Sequence, residues 1–325
     1  MKRITLITIM CLTACLKALS VEVEVDGIKY DANIEGKSAK VIRKDSKYEG
    51  SIVIPSDIIV NDVTCSVTSI GDHAFAQCSN LISVTMPEGI TTIEKDAFAN
   101  CYHLSPIAIP STVTSIGSDA FNDCSSFTSL TIPSSVKSIG YRAFRDCYNL
   151  TSITIPEGVT DIGHSAFIYC TGLSSVTIPS SVVHVGGETF RGCSSLITVT
   201  IAEGATIIGE GDFAECSALA SITIPSTITT IGQSAFDGCH NLADVYCKAE
   251  KVPATGAYVF DDIESLTLHV PASAIEEYKS TEPWSKFGTI VALDTPPTTY
   301  RPLAKEGKVW NYQRTLNSLK YILKN

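Results

Sequence analysis

Basic residues and aromatics are both in short supply in this 325-residue chain. Lys and Arg number 24 against 34 Asp and Glu, a formal net charge of −10, so the concentrated basic face that a non-specific nucleic-acid binder needs is missing. Aromatics make up 8% of the residues and Trp occurs twice, which argues against large stacking platforms for bases or sugars. After the leader, no segment approaches the roughly 18 consecutive apolar residues of a membrane span, so membrane contact is expected only through a lipid or a partner. With 44% hydrophobic and 18% charged residues, the composition is that of a core-forming, polar-surfaced protein.

Lys2 and Arg3 precede an apolar run from Ile4 to Leu12, the layout of a secretory signal over residues 1–20. Ala18-Leu19-Ser20 offers a cleavage site before Val21, whereas Leu12-Thr13-Ala14-Cys15 resembles a bacterial lipobox and would make Cys15 a lipidated first residue. Both readings place the protein outside the cytoplasm.

Aligned on Ile-Gly, the chain repeats every 23 residues, with starts at Ile70, Ile93, Ile116, Ile139, Ile162, Val185, Ile208 and Ile231. The eight copies over residues 70–247 share I-G-x-x-A-F-x-x-C-x-x-L-x-S-I-T-I-P-x-x-V-x-x, and a fixed period of this length marks a solenoid. One such unit cannot enclose its own apolar face, so it must stack on its neighbours. Places fifteen to seventeen, such as Ile153-Thr154-Ile155, alternate in and out as a strand does. They are expected to form one parallel sheet with rungs about 4.8 Å apart, loops or short helical turns lying opposite. Pro at place eighteen (Pro87, Pro110, Pro133, Pro156, Pro179, Pro225) lacks an N–H and should stop each strand. Place five is Ala except at Thr189 and Asp212, and place six is always Phe. Outward places fourteen and sixteen carry Ser and Thr, as in Ser152 and Thr154, a hydroxyl ladder that suits an exposed strand.

These coils resemble the BspA-type leucine-rich repeats of bacterial surface proteins, over some 180 residues. The flanks are similar to that family too: Tyr48 to Pro55 reads as a degenerate opening coil, and Val270-Pro271, Trp284 to Phe287 and Ile290-Val291 as a closing segment. The resemblance implies an extracellular or cell-surface interaction protein, in some members an adhesin for host matrix proteins, and no reaction.

An open solenoid needs covered ends. Residues 21–69 are expected to form an N-terminal β cap, with turns at Asp26-Gly27 and Asn61-Asp62. Residues 248–293 are expected to form an α/β cap, with a final strand near Leu266–Val270 and a capping-box spacing from Ser273 to Glu276 that opens a short helix. Residues 294–325 read as a linker and basic tail.

Eight of the 12 cysteines, from Cys78 to Cys239, occupy place nine. Stacked side chains that point the same way are poorly aimed for S–S bonds and diverge from any common zinc centre, so buried thiols acting as small hydrophobes are expected. Cys65 and Cys247 fall outside that reasoning. The six histidines share no fixed place with an acid or thiol and read as surface variation. With no general base in view the chain is not expected to be an enzyme, nor to need a cofactor or metal. The variable places are richest in anchoring residue types in the middle coils: Tyr141, Arg142, Arg145, Tyr148, His164, Ile168, Tyr169 and Arg191. Tyr and Arg most often anchor protein interfaces, so this is the expected partner patch. A protein, such as an extracellular matrix component, is the expected partner. A structural spacer presenting other modules and a glycan-binding module are the alternatives.

Overall fold

The computed structural model describes residues 20–182 and 184–293. The chain enters through short strands: β1 (Ser20–Val25), β2 (Ile28–Asn33), β3 (Ser38–Val41), β4 (Gly50–Val53), β5 (Asp57–Val60) and β6 (Val63–Ile70). β1 and β2 form an antiparallel hairpin through Asp26-Gly27. β5 and β6 form another through Asn61-Asp62, whose φ angles of 50° and 61° are both left-handed, as a tight two-residue hairpin turn requires. β3 then lies parallel to β6, which turns the sheet from antiparallel to parallel and starts the solenoid.

From there the coils stack as parallel strands in register, but in two ladders rather than the single sheet that the alternation at places fifteen to seventeen suggests. One ladder joins the last residue of each coil to the first of the next. Ser115–Ile116, Ser138–Ile139 and Asp161–Ile162 pair residue for residue, and the sheet runs on from β6 to Ala254–Thr255. The other uses places fourteen to seventeen and is interrupted. Ser129–Thr131, Ser152–Thr154, Ser175–Ile178 and Thr198–Ile201 make one sheet, and Ser221–Ile224, Asp244–Cys247, Thr267–Val270 and Thr289–Ala292 make a second. The segment from Pro106 to Ile109 is not a strand; Pro106 puts a residue without an N–H where the other coils have Ser or Thr. The prolines at place eighteen do end these strands. In the two coils that lack one, the ladder continues by one bond, from Ala202 N to Ile178 O (2.9 Å) and from Lys248 N to Ile224 O (3.0 Å).

The side of the coil expected to hold loops or short helical turns, places three to nine, is a tight turn built on alternating bonds. In the first coil the N–H groups of His73, Phe75 and Gln77 donate to Lys95, Ala97 and Ala99 of the next coil, while those of Ala74, Ala76 and Cys78 donate back within the coil. Every backbone donor is thus used, as burial demands. Places four and eight are left-handed: Asp96, Asp119 and Arg142 in one column, Asn100, Asp123, Asp146 and Tyr169 in the other. This is why short polar residues recur there. Gly at place two has a different cause. A Cβ on Gly140 or Gly163 would lie 2.5 Å from backbone of the preceding coil, so a larger residue at these positions would press on the neighbouring rung; the second coil, with Glu94 at this place, is the exception that still pairs in register.

The core is a file of phenylalanines. Phe75, Phe98, Phe121, Phe144, Phe167, Phe190, Phe213 and Phe236 are fully buried, and successive rings lie 5.0–5.7 Å apart, within 8° of parallel. Beside them runs the cysteine file. Each thiol from Cys101 to Cys239 donates to the carbonyl of the Phe in the preceding coil, as Cys124 Sγ does to Phe98 O at 3.3 Å. Place nine therefore needs a small apolar side chain with a weak donor, which is what Cys supplies.

The stacking does not stop at residue 247. Thr255-Gly256-Ala257-Tyr258-Val259-Phe260 is a ninth, degenerate coil: Thr255 pairs with Ile231, and the Phe260 ring stacks on Phe236 at 5.3 Å. The expected final strand, Thr267–Val270, is followed by a further one, Thr289–Ala292. Tyr48 lies tilted on Phe75 at one end of the aromatic file. At the other end Trp284 and Phe287 meet Phe260 edge-on, and the indole N–H of Trp284 donates to Pro253 O. The short helix Ile275–Ser280 forms without the expected capping box: its N-cap is Ala274, and the Ser273 hydroxyl bonds Glu250 instead (2.6 Å).

Candidate functional site

The residues singled out in the middle coils all fall on the turn edge, at places three, four, seven, eight and ten. Their geometry divides them. Tyr141 (40% exposed) and His164 occupy place three of adjacent coils with ring centroids 6.1 Å apart, and the Arg142 guanidinium lies 4.6 Å from the centre of the Tyr141 ring, within cation–π range. The Arg142 Nε has no hydrogen-bond partner. Beneath it, burial and the neighbouring Asp96 hold the Asp119 carboxyl above its usual range, an effect that Arg142 partly offsets.

Place seven sorts by side-chain length. Ala76, Ala99 and Ala214 are buried there, and so is Ile168, at 7% exposure. That removes Ile168 from the exposed patch: an apolar chain at this place lies against the coil, whereas an Arg covers the same surface with its stem and keeps its head in water. Arg145 bonds Asp146 (2.9 Å), and Arg191 bridges Glu188 and Glu215, each at 2.7 Å. Glu188 belongs to the coil of Arg191 and Glu215 to the next, so comparison of single coils overlooks the second partner. Tyr169 lies flat across Gly192, where a Cβ would approach its ring to 2.3 Å; the Gly is what admits the Tyr. Tyr148 (44% exposed) belongs to another column, at place ten, which it shares with Tyr102 (42% exposed). Tyr102 escaped the sequence reading because its coil looks otherwise ordinary. Cys15 lies outside the described residues.

Polar groups also occur where the pattern calls for apolar ones. Asp212, at the alanine place, is fully buried; its carboxylate accepts the N–H groups of Gly209 (2.6 Å) and Thr189 (3.2 Å), and the Thr189 hydroxyl in turn donates to Gly186 O. Burial raises the Asp212 carboxyl well above the usual carboxylate range, against those bonds. His269 departs from the expectation of surface histidines. It is buried on the continuation of the outward strand face, stacked on Tyr246 at 4.2 Å and bonded through Nε2 to Asp244 (2.8 Å). Ser165 bonds His164 Nδ1 at 2.7 Å but is fully buried, so no reagent in solution reaches its hydroxyl.

The thiols of the cysteine file are held protonated. Burial pushes Cys101 and Cys239 up to about 12, far from the thiolate that reaction or metal binding needs. Among the described residues no group of three or more His, Cys, Asp and Glu is placed to hold a metal ion, and no helix is long and apolar enough to cross a membrane.

The described family whose pattern this chain matches is the BspA type leucine-rich repeat region, in six copies over residues 56–174 and 161–280. Among solved structures, a leucine-rich repeat protein from Bacteroides ovatus ATCC 8483 is 29% identical, with 83% of this chain and 76% of that one aligned at a TM-score of 0.65. A leucine-rich repeat protein from T. pallidum is 26% identical over 61% of this chain and 91% of its own, at a TM-score of 0.53. No curated protein matches. Period, Phe file and ladder register agree with these likenesses: the chain belongs to the BspA-type leucine-rich repeat proteins.

Proposed function

We propose that this protein is an exported, non-enzymatic binding module whose partner is a protein docked on the turn edge of coils four to six, in the manner of an adhesin. The observation that carries this reading is the cluster of Tyr141, Arg142 and His164. It combines an exposed Tyr ring with a guanidinium stacked on it, held on rigid stacked turns, and Tyr and Arg are among the residue types enriched at the energetic anchors of protein interfaces. Arg145 and Arg191, ion-paired on the same turn edge, add charge that contributes more to orientation and encounter than to affinity. The leader, Lys2-Arg3 followed by the apolar run from Ile4, supports export, and Cys15 would supply a lipid anchor.

The test is binding of the full exported chain to a panel of extracellular matrix proteins. The wild type should bind at least one, and Y141A/R142A should lose about tenfold or more, the scale of a lost hot spot. Equal binding by the variant would remove the patch, and no binding to any member would favour a spacer.

A further inference from the structure

We propose that the place-ten column is a second, separate binding site, for an extended, uncharged β-1,4-linked polysaccharide that runs along the solenoid axis and stacks alternate sugars on Tyr102 and Tyr148.

Tyr102 and Tyr148 occupy the same place in coils two and four and expose nearly equal areas, 42% and 44%. The Tyr102 hydroxyl donates to Asn100 Oδ1 (3.3 Å), and the Tyr148 hydroxyl is hydrogen-bonded to Asp146, in each case the left-handed residue two positions earlier. Underneath, the Phe file advances 5.3 Å from Phe98 to Phe121 and 5.3 Å from Phe121 to Phe144, so the two tyrosines are two rungs, about 10 Å, apart. The coil between them has only Ser125 at this place, which leaves the gap unobstructed.

That spacing selects a ligand. In an extended β-1,4 chain successive sugars are flipped, so every second sugar presents the same face, and each sugar advances the chain by close to one rung. The axial C–H groups of such a face carry partial positive charge and match the negative face of an aromatic ring. Asp123 occupies place eight of the coil between the tyrosines, and a carboxylate there would repel an anionic glycan. The platform is rigid before binding. Ser126 Oγ donates to Tyr102 O (2.6 Å), and the residues after the tyrosines hold the preceding coil: His103 Nδ1 lies 2.7 Å from Ser79 O, and Asn149 Nδ2 donates to Ser125 O (2.8 Å). A pre-formed site loses less freedom on binding. Two rings are a narrow platform, consistent with the low aromatic content.

Titration calorimetry of the full chain with cellohexaose, chitohexaose and maltohexaose tests this. At least one of the two straight, equatorially linked hexamers should bind, and the curved α-linked maltohexaose should bind about tenfold more weakly or not at all. Y102S and Y148S, which install the residue that other coils carry at this place, should each cost about tenfold or more, the loss expected of an aromatic anchor. Y102F and Y148F, which keep the ring, should bind within about threefold of wild type, a difference under 1 kcal/mol. Failure of both straight hexamers to bind, equal binding of maltohexaose, or unchanged binding by both serine variants would overturn the proposal. Y141A/R142A should leave glycan binding unchanged, so the fates of the two sites are read separately.

Discussion

Replacing Phe144 with Ala removes a fully buried ring from the middle of the aromatic file, where it stacks on Phe121 at 5.3 Å and on Phe167 at 5.2 Å. A core Phe→Ala change costs about 3–5 kcal/mol, and each stacked aromatic pair contributes about 0.5–1.5 kcal/mol beyond its buried area. With two parallel partners and a rigid backbone on both sides, which prevents collapse around the cavity, the loss should reach the upper end, about 5 kcal/mol. That is a large part of the 5–15 kcal/mol that typically separates folded from unfolded. Because each coil touches only its neighbours, the damage should also uncouple the two halves of the array and broaden or split the transition. Urea unfolding followed by far-UV circular dichroism reads both effects, with Y148S, a surface change in the same coil, as a control expected within about 0.5 kcal/mol. A loss below about 1 kcal/mol for F144A, or an equal loss for Y148S, would refute the reasoning.

Three other perturbations have defined outcomes. A thiol-reactive dye should leave the place-nine cysteines unlabelled in the native protein at pH 8 and label them once it is denatured, because burial holds Cys101, Cys124 and Cys193 protonated; rapid native labelling would contradict the packing. The Asp212 carboxyl is raised, as are, more modestly, those of Asp119, Asp123 and Asp237. The folded chain therefore keeps protons that the unfolded chain has already lost, and stability should fall as pH rises above the ordinary carboxylate value, about 4, through the raised values. T189A/D212A restores the alanines of the other coils, where the N–H groups that Asp212 serves here donate to backbone instead, as Gly140 N does to Ile116 O and Ala143 N to Gly140 O; it should be more stable than wild type at pH 8 and show a shallower fall between pH 5 and 8 in urea titrations. G140A should destabilise strongly, since its Cβ would lie 2.5 Å from Gly117 backbone, whereas Ala at Gly27, which has no atom within 4 Å of the added Cβ, should show only the smaller cost of its left-handed backbone; similar melting temperatures for the two would count against the close stacking.

The period made most of the fold legible, because it arises directly from the need of each coil to cover its neighbour. The Phe row, the strand-ending prolines and the Asn61-Asp62 hairpin each follow from one residue's chemistry. The second ladder was hidden because two-residue strands such as Ser138–Ile139 are too short to show alternation. The ninth coil was hidden because Thr255 stands where the pattern has Ile and follows Ile231 by one residue too many. At the candidate site, residue type pointed both to Tyr141, which is exposed, and to Ile168, which is buried, because exposure depends on the direction of place seven and not on its variability. The left-handed columns at places four and eight looked like surface drift. Asp, Asn and Ser are common on any surface, and only the backbone reveals that they are selected for conformation.

The claim beneath all of this is that the coils are equivalent rungs. Removing residues 139–207, three whole coils, joins Ser138 to Ile208 without breaking the pattern. Small-angle scattering of that deletion should show a folded particle whose longest dimension is shorter by about 14 Å, three rungs of parallel sheet. An unfolded chain, or a folded one of unchanged length, would contradict the account.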